Sequence, residues 1–132
     1  MSSTPFEMTV SVLREDIDGQ NHVNNTVYLR WVQEVATAHW QAIGSSEAQA
    51  GIGWVVLRHE IDYKASACMG DDVVLRTWVG KATRLTFERF TEIRRSSDGQ
   101  MLSKARTLWC PINAQTGRPL RVPIEVREQF SI

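Results

Sequence analysis

From Pro5 to Arg14 the chain alternates: Phe6, Met8, Val10 and Val12 are apolar, and Glu7, Thr9 and Ser11 between them are polar. A period of two puts one face of a strand on a core and the other in water. Glu15 to Asn24 breaks the pattern with Asp, Gly, Gln and Asn, which are loop residues. From Thr26 the period lengthens. Tyr28, Trp31, Val32, Val35, His39, Ala42 and Ile43 recur at helical spacing, with Arg30, Gln33, Glu34, Thr37 and Gln41 on the other side. Asn24 or Asn25 can cap the start, and Gly44 can close the end at the C′ position. At about 1.5 Å per residue this helix is roughly 28 Å long. It is the one long helix the pattern predicts.

The second half reads as strands. Val55, Leu57, His59, Ile61, Tyr63 and Ala65 alternate with Val56, Arg58, Glu60, Asp62 and Lys64. Met69 to Asp72 is a turn, and Val73 to Ala82 is the next strand. Leu85, Phe87 and Ile93 belong to a third. Ser97-Asp98-Gly99 is a hairpin turn, in which Gly is free to take a positive φ. Met101 to Ile112 is a fourth strand, Asn113 to Pro119 a loop, and Pro123 to Phe130 a short helix with Pro in its first turn. The predicted order is a strand, a loop, a long helix and a meander of four strands. That is an α+β arrangement, one helix packed on an antiparallel sheet of about five strands. A chain of 132 residues fits a single domain, residues 1–132.

Lys plus Arg and Asp plus Glu both number 15, so the formal charge is zero. Nucleic-acid binding needs a basic excess or stripe, so the balance argues against a nucleic-acid partner. Cys68 and Cys110 do not make a disulfide framework and read as thiols in a reducing compartment. No apolar run approaches the roughly 20 residues that cross a bilayer, so membrane insertion is not expected. The first ten residues lack the features of a secretory signal, which leaves the cytoplasm as the expected location.

The chemistry concentrates between Asp16 and Asn25, DIDGQNHVNN. Two carboxylates, an imidazole and four amide side chains stand just before a helix start. A helix start carries unpaired N–H groups and a partial positive charge, and it can polarise a carbonyl oxygen. Asp18 nearby could attack an acyl carbon or activate water. Against this, Asp and Asn are also the ordinary residues of turns and caps. Asp16, Asp18 and His22 as metal ligands would lack a fourth partner. His39 and His59 lie among apolar positions and read as hydrogen-bonded core histidines. Glu34, on the helix, is a second candidate base. Gly51-Ile52-Gly53 lacks the third glycine of a dinucleotide fingerprint and reads as a loop. Lys81, Arg84, Arg118 and Arg121 lie near strand ends or loops, and none is assigned to a phosphate.

The Asp18 to Trp31 stretch, an Asp four residues before HVNN and then Thr-Val-Tyr-Leu-Arg-Trp, resembles bacterial long-chain acyl-CoA thioesterases. It also resembles plant acyl-carrier-protein thioesterases and, more widely, the 4-hydroxybenzoyl-CoA thioesterases of the hotdog fold. Ile61-Asp62-Tyr63-Lys64 and Gly70-Asp71 extend the likeness. The resemblance implies hydrolysis of an acyl-CoA thioester to a free acid and coenzyme A, with no cofactor beyond the coenzyme A of the substrate. It places the catalytic carboxylate, nucleophile or general base, on Asp18 and the oxyanion donor on the Asn25 backbone N–H. It makes His22, Asn24 and Tyr28 substrate-positioning residues. Tyr28 matches the tyrosine that begins an exposed helix turn. It also implies a homodimer with sheets joined edge to edge, or a homotetramer. Where the family often has Arg-Pro-Ala after the tyrosine, this chain has Lys64-Ala65-Ser66. Asn24 and Asn25 stand where the hydroxybenzoyl enzymes carry aromatic residues, which favours a fatty-acyl over an aryl substrate. Two alternatives stay open: an acyl-thioester dehydratase or hydratase, and a non-catalytic acyl-CoA or acyl-carrier binding module.

Overall fold

The structure is a computed structural model, and residues 5–130 are described. The alternating run forms β1 (Phe6–Ser11), and a single 3₁₀ turn at Arg14–Asp16 leads into the polar loop. The helical stripe forms α1 (Asn25–Ile43), followed by a short α2 (Ser46–Gly51). Then come β2 (Ile52–Tyr63), β3 (Asp72–Ala82), β4 (Phe87–Arg95), β5 (Met101–Asn113) and α3 (Ile124–Phe130). The five strands make one antiparallel sheet in the order β1-β3-β4-β5-β2. With α1 packed on its inner face, this is the expected hotdog architecture.

Three expectations change. First, the last four strands are not a simple meander. β3, β4 and β5 follow one another, but β2 crosses to the far edge and pairs with β5. The connection after β2 is pinned there, because the N–H groups of Lys64 and Ala65 both donate to the Leu102 carbonyl, at 2.8 and 3.2 Å. Second, Gly51-Ile52-Gly53 is not a loop: Gly51 ends α2, and Ile52 and Gly53 begin β2. Third, Gly44 ends α1 without a left-handed conformation, at φ −67°. Glycine is needed there for proximity, since a Cβ at this position would lie 2.6 Å from the Trp40 carbonyl oxygen.

The pairing of β2 with β5 shifts register between Val56 and Arg58. A bulge of this kind flips the faces that follow it. Trp54 and Val56 are half-buried before it, and His59 and Ile61 after it. Val55 and Leu57 are therefore exposed, although simple alternation groups them with His59 and Ile61.

The apolar stripe of α1 buries Val27, Tyr28, Trp31, Val32, Val35 and Ala36. Each large aliphatic side chain buried this way stabilises the fold by about 1.5–3 kcal/mol. The interior is split in two. One cluster joins Val12, Val23, Tyr28, Trp31, Leu75, Ile93 and Leu102 near the polar loop. The other joins Val79, Phe87, Val122, Val126 and Phe130, with Trp40 and Trp54 against it. Between them runs a buried polar belt of Thr77, Arg89, Thr91 and His39.

Candidate active site

The segment before α1 is a small clamped hairpin. Ile17 bridges to Val23, the Asp18 N–H donates to the His22 carbonyl at 2.8 Å, and the Asn24 N–H donates to the Asp16 carbonyl at 2.8 Å. Asn21 closes the turn at φ 66°, donating to the Asp18 carbonyl at 3.2 Å. Asn tolerates this left-handed conformation better than most residues. Asp18 Oδ1 accepts the N–H groups of Gln20 (2.8 Å) and His22 (3.3 Å). One oxygen thus orients the carboxylate, while Oδ2 has no partner among the described residues. The Asp18 side chain is half-buried and the His22 side chain is exposed.

Asp16 does different work. It is 1% exposed, accepts the Leu13 N–H on Oδ2 at 2.9 Å, and pairs through Oδ1 with the Arg30 guanidinium at 3.0 Å. The guanidinium pKa is raised, first by that hydrogen bond. Asp16 thereby ties the loop to α1. With Asp16 turned to Arg30, the Asp16, Asp18 and His22 side chains do not converge. Among the described residues no group of three His, Cys, Asp or Glu is placed to hold a metal.

Asn24, not Asn25, is the N-cap. Its Oδ1 accepts the Thr26 N–H at 3.0 Å and the Thr26 hydroxyl at 2.9 Å, and its carbonyl accepts the Val27 N–H. The Asn25 N–H has no partner among the described residues. It sits in the first turn, where the helix presents positive potential. Tyr28 differs from the expectation of an exposed contact. It is 2% exposed, and its hydroxyl oxygen accepts the N–H of fully buried Ala67 at 2.8 Å. Desolvation raises its pKa. Tyr28 anchors the interior beneath the loop, and Val23 N–H bonds to the carbonyl of the same Ala67.

Tyr63, passed over as a site residue in the sequence, lies beside the loop. Its ring meets Tyr28 edge-on at 5.7 Å, and its hydroxyl donates to the Asn25 carbonyl at 3.3 Å. Only the crossing of β2 to the sheet edge brings it there. Glu34 is about half-exposed and pairs with Arg30 one turn away at 3.2 Å. His39 lies in the core as read from the sequence, whereas His59 is hydrogen-bonded but only half-buried. His59 Nδ1 lies 3.0 Å from the Thr107 hydroxyl and its Nε2 3.4 Å from Gln33. His39 is buried, stacked on Phe6 and edge-on to Phe130. Cys68 and Cys110 are free thiols.

An apolar cavity of about 70 Å³ lies elsewhere, lined from α1 by Ala36, Thr37 and Trp40. Those residues follow Asn25 by 11 to 15 positions, which is about 16–22 Å along the helix axis. Within one protomer the cavity is therefore separate from the hairpin.

Among the described residues no helix is long and apolar enough to cross a membrane. Residues 12–130 match the thioesterase-like superfamily. The chain is 25% identical over 134 residues to a chloroplastic palmitoyl-acyl carrier protein thioesterase of Cuphea hookeriana, which covers 95% of this chain and 32% of that protein. It thus spans about a third of the length of such relatives. Among solved structures, a thioesterase from Thermus thermophilus complexed with coenzyme A and Zn superposes with a TM-score of 0.82 at 24% identity, over 96% of this chain and 97% of that one. A 1,4-dihydroxy-2-naphthoyl-CoA thioesterase from Synechocystis superposes at 0.77 and 19% identity, over 91% and 90%. These structures share the fold, and the match over residues 12–130 carries the family assignment: the chain belongs to the thioesterase-like superfamily.

Proposed function

We propose that this protein hydrolyses an acyl-CoA thioester to a free acid and coenzyme A, using Asp18 and the Asn25 backbone amide. The observation that carries the reading is the clamped hairpin. It fixes one Asp18 oxygen and leaves the other without a partner among the described residues, in the loop that leads into a helix start whose first N–H is likewise unpaired among them. Asp18 attacks the thioester carbon itself or takes a proton from an attacking water. The carbonyl oxygen gains negative charge and accepts the Asn25 N–H, an interaction typically worth about 3–4 kcal/mol in such sites. The carbon–sulfur bond then breaks, and the thiolate leaves and takes up a proton; where Asp18 itself attacked, water then hydrolyses the acyl–Asp18 anhydride, which frees the acid and restores the carboxylate. Asn24 holds the helix start in place, and the exposed His22 stands where it could contact substrate. The scheme needs no cofactor beyond the coenzyme A that the substrate carries.

We also propose that the working unit is a homodimer or homotetramer. β2 is an open edge strand with exposed Val55, Leu57 and Tyr63, and unpaired edges of this kind invite a second copy. Pairing there brings a partner beside the Asn25 turn, through Tyr63. Light scattering that finds a stable 15 kDa monomer overturns this assembly.

The test of activity is thiol release from short, long and aromatic acyl-CoAs and from acyl-carrier protein. Asp18→Asn retains Oδ1 and the turn while removing the basic oxygen. Turnover should fall at least about a hundredfold with the melting temperature kept. No release from any of these substrates overturns the reading, and release from the acyl-carrier protein alone moves the substrate to that carrier.

A further inference from the structure

The polar belt contains a cation that has no counter-ion among the described residues. The Arg89 side chain is buried, and its Nη1 lies 2.9 Å from His39 Nδ1 and donates to the Thr77 hydroxyl at 3.1 Å. Among the described residues no carboxylate pairs with it, and its Nε and Nη2 have no partner. Burial lowers its pKa to about 10, so it stays charged at neutral pH. Burial lowers that of His39 to about 4, which keeps the imidazole neutral and able to accept from Arg89. A buried charge is costly unless something compensates it.

Arg89 lines the 70 Å³ cavity together with Trp40, Trp54, Phe87, Trp109 and Phe130. Strand register accounts for this gathering. Arg89 pairs across with Thr107 and Phe87 with Trp109, while Trp109 pairs with Val56, two residues from Trp54. The wall thus offers a guanidinium among rings. Exposed Thr37 marks the mouth. A guanidinium donates and cannot accept, so it calls for an acceptor group, and its fork matches a carboxylate. The apolar walls disfavour a fully hydrated inorganic anion. One water needs about 10–15 Å³ on the same measure, so the space takes a carboxylate with a few carbons.

We propose that this cavity binds the carboxylate of a small organic acid, with Arg89 as counter-ion and the aromatic walls around its carbon skeleton. The site is separate from the hairpin and does not depend on thioester hydrolysis. The test is calorimetric titration of the full chain with isobutyrate, its neutral isostere isobutyramide, and inorganic phosphate. Isobutyrate should bind saturably, with isobutyramide and phosphate each at least about tenfold weaker, reflecting a lost charge-assisted pair. Arg89→Met should lose at least the same factor. If Arg89→Met does not fold, the preference of the unmodified chain for isobutyrate over isobutyramide decides the matter. Equal binding of isobutyramide, equal binding of phosphate, no saturable binding of isobutyrate, or undiminished affinity in a folded Arg89→Met overturns the proposal.

Discussion

Replacing Tyr28 with Phe removes one oxygen and leaves the ring. That oxygen accepts the Ala67 N–H at 2.8 Å, and Ala67 is completely buried. Water does not reach the site, so the deletion orphans a buried backbone donor. Such a donor costs about 1–3 kcal/mol. Unfolding entropy is about 2.1 cal/mol/K per residue, which over 132 residues is about 0.28 kcal/mol/K. The expected fall in melting temperature is therefore about 4–11 °C, read by calorimetry at fixed protein concentration because assembly affects the midpoint. Ala67 also accepts the Val23 N–H, so part of the loss should appear as faster hydrogen exchange at Val23. Michaelis constants for acyl-CoA should change less than about threefold, since the hydroxyl points to backbone and not to ligand. An unchanged melting temperature with a tenfold rise in Michaelis constant would refute this reasoning and return Tyr28 to the substrate.

Three further outcomes are expected. Burial lowers the His39 pKa from 6.5 to about 4, with the charge of Arg89 as a second cause. The unfolded chain therefore binds a proton below about pH 6.5 that the native chain refuses until about pH 4. Stability should fall on acidification through that window, by up to about 3 kcal/mol. The ring faces Phe6, Phe130 and Arg89, so no acid opposes the effect. His59, also lowered by burial, adds in the same direction. His39→Gln should flatten the melting profile between pH 4 and 6.5, and an unaltered profile contradicts the assignment. Asp16→Asn breaks the tie from loop to Arg30 and should destabilise by about 1–2 kcal/mol while turnover falls far less than in Asp18→Asn. Glu34→Gln should keep near-normal turnover, because it loses only a surface pair worth about 0.3–0.5 kcal/mol; collapse of activity there would move the base to the helix. Thiol release should also survive EDTA, and loss restored by zinc would revive a metal at Asp16, Asp18 and His22.

Much of this was legible in the sequence because local pattern decided it. The β1 alternation, the α1 stripe and the turn at Gly99 each follow from side-chain periodicity or a φ of +71°. The ten-residue loop was visible as a cluster of chemistry, but its clamp was not. Residue type alone does not tell Asp16 from Asp18, and the pairing of Asp16 with Arg30, 14 residues away, is visible only in the fold. Tyr28 met two descriptions, apolar stripe and exposed contact, and Ala67 decided between them. The edge position of β2 was hidden because strand order is set by long-range pairing. Its bulge at Leu57 left no local mark either, since Trp54 to Leu57 is apolar on both faces. Arg89 stands in an alternating strand as any solvated cation would, and nothing in FERF reveals its burial.

The polar belt also parts the interior into units of unequal stability. The half near the loop is closed by the first turns of α1 and by Leu75, Ile93 and Leu102 on the central strands. The other half is closed by α3, seven residues long and held through Val126 and Phe130. So short a helix has little stability of its own. Opening that end asks less of the fold than opening the loop end, whose wall is the central strands, so amide exchange should be faster in α3 than in β3 and β4.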